Sequence, residues 1–421
     1  MKDMLGRGEV VTPKNALDIL FRHYKTIPQI SEEIPVNESL HRIISEDIIS
    51  ESNLPEFPRS TVDGYAVRAE DTFGATDTLP AYLNLKGEIL MSEEPKIELK
   101  KSDTVKIATG GMLPPGSDAV VMFEYSNVIN EKLIEVVKAA APGENVIQIG
   151  EDVERGEKIL PKGHRIRPQD MGALTGLGVT KIKVYRRPNV AIISTGDEIV
   201  EAEKVPRLGQ VRDINTYNLS GLVRLKGGIP IRKGIFPDQY EKIYSIVRES
   251  LDETDIVIIS GGSSVGTRDM TERVINDLGK PGVLVHGVSL KPGKPMIIGI
   301  VNNKPVFGLP GNPAAVTVCF DLFVAPVIKA ISGEVDHLVN LGITHHRTVK
   351  AIISKNISSA PGREDHIRVA IEKNEGKLVA RPILGKSGLI KTLVKADGIV
   401  VIPATKLGLE AGDEVDVRLF D

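Results

Sequence analysis

The sequence predicts a multidomain α/β protein: a central doubly wound α/β domain, a β-rich segment before it and a small β-barrel after it. Three observations carry that prediction. Apolar, β-branched runs at Asn189-Val190-Ala191-Ile192-Ile193-Ser194 and Asp255-Ile256-Val257-Ile258-Ile259 read as buried parallel strands, each opening onto a polar loop that contains glycine. Residues 54–148 break instead into short strands punctuated by glycine and proline. Beyond His337 the chain is strand-like throughout, alternating from His366 to Glu372, with turns at 374–376 and 411–413.

Taken in order, residues 12–49 read as helix, extended segment and helix. Pro13 suits a first helical position, Thr12 suits the N-cap, and Ala16, Leu17, Ile19, Leu20 and Tyr24 form the apolar face. Residues 155–183 return to extended segments and one helix at 168–177. The strand at 189–194 ends in Thr195-Gly196-Asp197-Glu198, and an amphipathic helix follows at 239–251. The strand at 255–259 ends in Ser260-Gly261-Gly262-Ser263-Ser264-Val265-Gly266-Thr267-Arg268-Asp269, with a helix over 270–278. A strand at 283–288, the turn Lys291-Pro292-Gly293-Lys294-Pro295, and a strand pair at 296–301 and 305–309 come next. Gly308-Leu309-Pro310-Gly311-Asn312-Pro313 then leads into a long apolar helix at 314–331.

Strands and helices alternating at this spacing make a doubly wound sheet, so three polar loops after three parallel strands converge on one sheet edge. That edge is where ligands bind in open α/β folds. Glycine lets backbone N–H groups approach an anion, and the following helix N-terminus favours negative charge.

Composition narrows the function classes. In 421 residues, 41% hydrophobic content supports several real cores, and a net charge of −3 leaves no footprint for nucleic acid or an anionic membrane. Asp321 and Pro326 interrupt the most apolar helix, which argues against a membrane span. Residues 1–10 are charged and lack the apolar centre of a signal peptide. Cys319 is the single cysteine and excludes a disulfide framework. The expectation is a cytoplasmic protein.

The ordered motifs STGDE, SGGSSVGTRD, KPGKP and GLPGNP resemble the MoeA family of molybdopterin molybdenumtransferases, to which the E domain of gephyrin is related. Thr61-Val62-Asp63-Gly64-Tyr65-Ala66-Val67, Ala108-Thr109-Gly110-Gly111, Gly150-Glu151-Asp152-Val153 and Ala396-Asp397-Gly398-Ile399 fit as well, so the resemblance covers nearly the whole chain. It implies an elongated α+β domain made of residues 1–54 and 155–185, with a β-rich domain at 55–154 inserted in it. An α/β molybdopterin-binding domain at 186–335 and a β-barrel domain at 336–421 complete the expected architecture.

The reaction it implies takes adenylyl-molybdopterin, breaks its phosphoanhydride with release of AMP, and places molybdenum (or tungsten) from molybdate or tungstate on the pterin dithiolene. Anionic substrates of this kind call for Mg²⁺ and for cationic donors. Asp269 is the first choice for a metal-linked carboxylate, followed by Glu198 and Asp238. Asp269 also reads as a helix N-cap. Lys291 and Lys294 attract an oxyanion, or are two solvated lysines on a turn. Pro310 and Pro313 shape a pocket wall, or only fix the entry of the long helix.

Gly261, Gly262, Ser263 and Ser264, with Ser194, Thr195 and Gly196, suit the pterin phosphate or simply satisfy their loops. Arg368 and Ser387 align with family positions that reach the oxyanion; Arg368 also reads as an exposed sheet charge. Asp63 and Asp152 read locally as turn and loop acids. The resemblance instead implies that, with Thr109, they complete the active site of a partner subunit in a homodimer. Thr267-Arg268 separates Gly266 from Asp269, and Lys386 precedes Ser387; both depart from the family pattern. Two alternative functions are a molybdopterin adenylyltransferase and a non-catalytic molybdopterin carrier. Expected partners are the adenylyltransferase and recipient molybdo- or tungstoenzymes.

Overall fold

The computed structural model describes residues 10–24, 30–261, 265–334 and 347–420. Its centre is a six-stranded sheet in the order Ile229–Phe236, Asn189–Thr195, Ile256–Gly261, Lys304–Leu309, Ile297–Val301, Pro281–His286. The first four strands run parallel. Ile297–Val301 turns back through a tight loop at Asn302 and Asn303, both at positive φ, and pairs antiparallel with Lys304–Leu309. Pro281–His286 then pairs antiparallel with Ile297–Val301.

The apolar runs are continuous because both faces of the sheet are covered. Val190, Ile192, Ile258 and Phe307 point to one core, shared with Leu219 and Val223 and with Phe320, Phe323 and Ile328 of the long helix. Ala191, Ile193, Val257 and Ile259 point to the other, shared with Ile243, Val247, Val274 and Ile275. This is the doubly wound arrangement that the sequence predicts.

The long apolar helix is not cut short by Asp321 and Pro326. Helices Pro313–Cys319 and Ala325–Ile331 join through a π turn at Phe320–Val324. The wider turn absorbs the N–H that Pro326 lacks. The joined helix, Pro313–Ile331, is long and apolar enough to cross a bilayer, but most of it is buried in the fold. Burial against the sheet, and not a polar interruption, accounts for its composition.

Helix Pro13–His23 begins as expected, the Thr12 hydroxyl oxygen accepting the Asn15 N–H at 3.2 Å. The second helix expected before residue 49 is absent among the described residues. A single 3₁₀ turn at Val36–Glu38 stands there instead. The cause is long-range pairing, which sequence periodicity does not report. Ile44 bridges to Val184, Ile48–Ile49 pairs with Lys158–Leu160, and Ser31–Pro35 pairs antiparallel with Lys181–Tyr185. These pieces share one core of Val36, Ile44, Leu160, Ile166, Leu174, Ile182 and Val184.

Between them lies a six-stranded mixed sheet in the order Ala119–Met122, Gly64–Val67, Asp103–Ile107, Ala81–Ile89, Leu133–Val136, Ser126–Asn130. At the far end, strands Glu364–Asn374, Lys377–Pro382, Thr348–Ile353, Glu414–Leu419 and Gly398–Ile402 pair in sequence, and the last returns to the first. The result is a closed five-stranded barrel around Val369, Ala380, Val400, Ile402 and Val417.

Candidate functional site

One strand pairing fixes the barrel to the α/β domain. Leu290 and Lys291 join the start of Glu364–Asn374 in parallel, Leu290 opposite Glu364 and Lys291 opposite Asp365. A second contact runs from Ala314 N–H to the Ser387 carbonyl at 3.2 Å, seating a barrel loop on the start of the long helix. Between these contacts opens a cleft of about 1020 Å³.

Five cationic side chains line it: Lys291 and Lys294 from the α/β domain, and Arg363, Arg368 and Lys386 from the barrel. Among the described residues, no aspartate or glutamate lines it. Pro310, His366, Ser387 and Asn312 complete the polar and shaping wall. Gly293 (φ +125°) lets the lysine loop lie flat, because a Cβ there would meet Cys319 Sγ at 2.7 Å. Lys291 is 55% exposed, and its ammonium lies 3.6 Å from the buried Asp365 carboxylate.

Arg368 is not an exposed sheet charge. It is 7% exposed, donates from Nη2 to the Gly385 carbonyl at 3.2 Å, and has a buried Nε without a partner among the described residues. Burial pushes its guanidinium below the ordinary value. A buried guanidinium with an open donor costs free energy unless something accepts from it. His366, on the same face of the same strand, is 5% exposed and hydrogen-bonded through Nε2 to Glu364 Oε1 at 2.6 Å. That contact holds the Glu364 carboxyl below its usual range.

The ends of the parallel strands form a second cluster. Asn215 Nδ2 donates to Ser260 Oγ at 3.0 Å and to the Gly311 carbonyl at 2.8 Å, tying together the loops after two strands. Gly261 (φ +146°) sits so close to the third loop that a Cβ would meet the Thr195 carbonyl oxygen at 2.0 Å. The buried Ser194 Oγ, Asn215 Oδ1 and Thr216 Oγ1 have no hydrogen-bond partner among the described residues. The loops thus converge as the sequence predicts, and leave polar groups open at the edge.

The three acids stand around this edge. The Asp238 N–H donates to Asp197 Oδ1 at 3.3 Å, and the Glu198 carboxylate folds back over Gly196. Asp269 is exposed, but not an N-cap: the helix runs Val265–Leu278, so Asp269 lies past its first turn. Thr267 and Arg268 belong to the helix, which already includes Gly266, so the acid lies inside the helix and not at its cap. Gly262, Ser263 and Ser264 lie outside the described residues. Among the described residues, no three His, Cys, Asp or Glu side chains are close enough to cage a metal ion.

Asp63 and Thr109 meet, Asp63 Oδ1 accepting from Thr109 N–H at 2.7 Å and from its hydroxyl at 2.9 Å. Asp152 is exposed, its N–H donating to the Leu54 carbonyl at 3.1 Å. None of the three lines the cleft, and neither does Pro313, which opens the long helix.

Sequence reasoning missed Arg363, His366, Asp365 and Asn215. His366 carried a readable signal, since it stands two residues from Arg368 on an alternating strand. Asn215 and the Lys291 side of Asp365 carried none, because those contacts are set by pairing between loops and between domains.

Three family models match the chain in the order of these units. The MoeA N-terminal region (domain I and II) matches residues 11–178, a probable molybdopterin binding domain matches 191–330, and the MoeA C-terminal region (domain IV) matches 350–420. A Methanocaldococcus jannaschii protein is 38% identical over 92% of each chain. The chain belongs to the MoeA family.

The molybdopterin molybdenumtransferase of Bacillus subtilis is 31% identical, over 93% of this chain and 90% of its own. Two crystal structures of MoeA proteins from Pyrococcus horikoshii superpose with TM-scores of 0.84 and 0.82, at 38% and 33% identity. Each covers 98% of this chain and 100% of the other. As a MoeA protein the chain is an enzyme, and its domains carry the same order as those structures.

Proposed function

We propose that this enzyme of molybdenum cofactor biosynthesis transfers molybdenum from molybdate to adenylyl-molybdopterin, with release of AMP. The observation that carries the reading is the cleft lined by five cations and, among the described residues, no acid, with the buried Arg368 guanidinium one of the five. Such a lining selects an anion, and a small tetrahedral oxyanion satisfies several donors at once. Lys291, Lys294 and Lys386 supply point charges, Arg368 a directed donor, and Ser387 a hydroxyl. Tungstate, of the same charge and nearly the same size, is accepted equally.

The strand edge beside it holds the pterin phosphate. Gly261 permits close backbone approach, while Ser194, Asn215 and Thr216 offer open polar groups. Asp269, Glu198 and Asp238 give hard oxygen donors without forming a closed cage. Mg²⁺, which keeps waters and shares phosphate oxygens, is the hard cation these acids would take. When bound, such a cation supplies charge neutralisation at the phosphate as the P–O bond to AMP breaks. These acids would hold it; the lysines and Arg368 keep the oxyanion beside the reacting phosphate.

Asp63, Thr109 and Asp152 complete the site of a second subunit in a homodimer on this reading, which accounts for their absence from the cleft of their own chain. The chain divides at residues 54, 154, 185 and 335 into the four units expected from its motifs. It acts in the cytoplasm, between an adenylyltransferase and recipient enzymes.

The test is AMP release from adenylyl-molybdopterin and Mg²⁺, with and without molybdate, beside an Asp269→Ala variant. Molybdate-dependent release that the variant loses supports the transfer reaction. Tight binding without release overturns it in favour of a carrier. AMP transfer from ATP overturns it in favour of an adenylyltransferase.

A further inference from the structure

Beneath the cationic cleft lies a carboxylate that no solvent reaches. Asp365 is 0% exposed and sits on the barrel strand opposite Lys291, where the two domains pair. Arg363 grips it from the barrel side, Nε to Oδ1 at 2.8 Å and Nη2 to Oδ2 at 3.3 Å. The Lys291 ammonium approaches Oδ2 from the α/β side at 3.6 Å. One buried acid therefore spans two of the five cleft cations, one from each domain.

We propose that Asp365 is a positioning residue for the oxyanion site, locking Arg363 and Lys291 into one geometry across the domain seam. This rests on the anion reading of the cleft given above. Five like charges repel one another, and long cationic side chains lose rotamer freedom when held. A buried carboxylate offsets both costs: it lowers the repulsion between Arg363 and Lys291, and fixes the guanidinium plane by a two-point contact. Asp365 does not line the cleft and does not touch the ligand. It acts through its two partners.

The sign of its effect separates this role from simple charge. Removing a negative charge beside an anion site strengthens anion binding by Coulomb attraction alone. Loss of positioning weakens it. The experiment measures molybdate binding to the full chain by equilibrium dialysis, for the unaltered protein, Asp365→Asn and Arg363→Lys. Arg363→Lys keeps the net charge but loses the fork, and Arg363 is partly exposed, so this variant informs even if Asp365→Asn does not fold.

The expected result is at least about tenfold weaker molybdate binding in both variants, because a two-point charged contact is lost in each. The maximal AMP-release rate at saturating molybdate changes much less than the molybdate KM. Unchanged or tighter binding in Arg363→Lys, or in folded Asp365→Asn, overturns the positioning role while leaving the anion site standing. Absence of molybdate binding by the unaltered chain overturns the anion site and this role with it.

Discussion

Asp63 and Thr109, 46 residues apart, are joined by two hydrogen bonds to a single carboxylate oxygen, from the Thr109 N–H at 2.7 Å and its hydroxyl at 2.9 Å. Those bonds, the backbone one foremost, hold the Asp63 carboxyl below its ordinary range, so it stays ionised at mildly acidic pH. An exposed, ionised acid fixed in this way is presented outward and buried in nothing.

If Asp63 serves a neighbouring subunit, Asp63→Asn lowers AMP release at least about tenfold with little change in thermal midpoint. Arg368→Ala does the same from the cleft side. Mixing the two inactive variants under exchange restores about a quarter of the unaltered activity, since only a heterodimer holds one intact composite site. No recovery on mixing, with exchange verified, places both residues in one chain's site.

Gly261→Ala is expected to destabilise the α/β domain by about 2 kcal/mol, seen as a lower denaturant midpoint. The added Cβ meets the Thr195 carbonyl, and the φ of +146° is foreign to alanine. AMP release falls further than stability does, because the displaced loops form the strand edge.

Asp170 makes the stability of its unit depend on acid pH. Asp170 is 4% exposed; burial raises its pKa, but hydrogen bonds from Arg167 and His164 prevail and bring it down to about 2. A depressed carboxyl stabilises the fold fully above its unfolded pKa of 3.8, and loses that contribution as pH falls toward about 2. Urea midpoints measured at pH 6 and near pH 3 should therefore drop more for the unaltered chain than for Asp170→Asn. At pH 6 the Asp170→Ala variant is less stable by about 2 kcal/mol, since it removes the charge-assisted hydrogen bonds from His164 and from Arg167, the latter an exposed guanidinium that water resolvates.

Removing divalent cations with a chelator abolishes AMP release and leaves the thermal midpoint unchanged. The described residues hold no preformed cluster of three ligands that folding would have to neutralise. A fall in midpoint on chelation reveals a structural metal.

Much of the α/β domain was legible because its signals are local. Ile256–Gly261 and Asn189–Thr195 are unbroken apolar runs ending in glycine, as strands buried on both faces must be. Thr12 and Pro13 announced their helix start through chemistry confined to one turn. The segment before residue 49 was misread for the opposite reason: its fate depends on partners near residues 158 and 184. The start of the helix at Val265 was likewise hidden, because a glycine-rich stretch marks neither coil nor helix by itself.

By itself, the sequence determined the order of the units, the strands of the central sheet and the residue types at its loops, since periodicity and turn chemistry act over a few residues. Only the tertiary structure decided which of those residues meet. It brought Lys291 and Lys294 to Arg363, Arg368 and Lys386. It set Asp365 beneath two of them, and it left Asp63, Thr109 and Asp152 away from the cleft of their own chain. The physical reason is that charge acts through space while sequence records only contour: a parallel pairing of two residues across a domain seam fixes distances that no local pattern encodes.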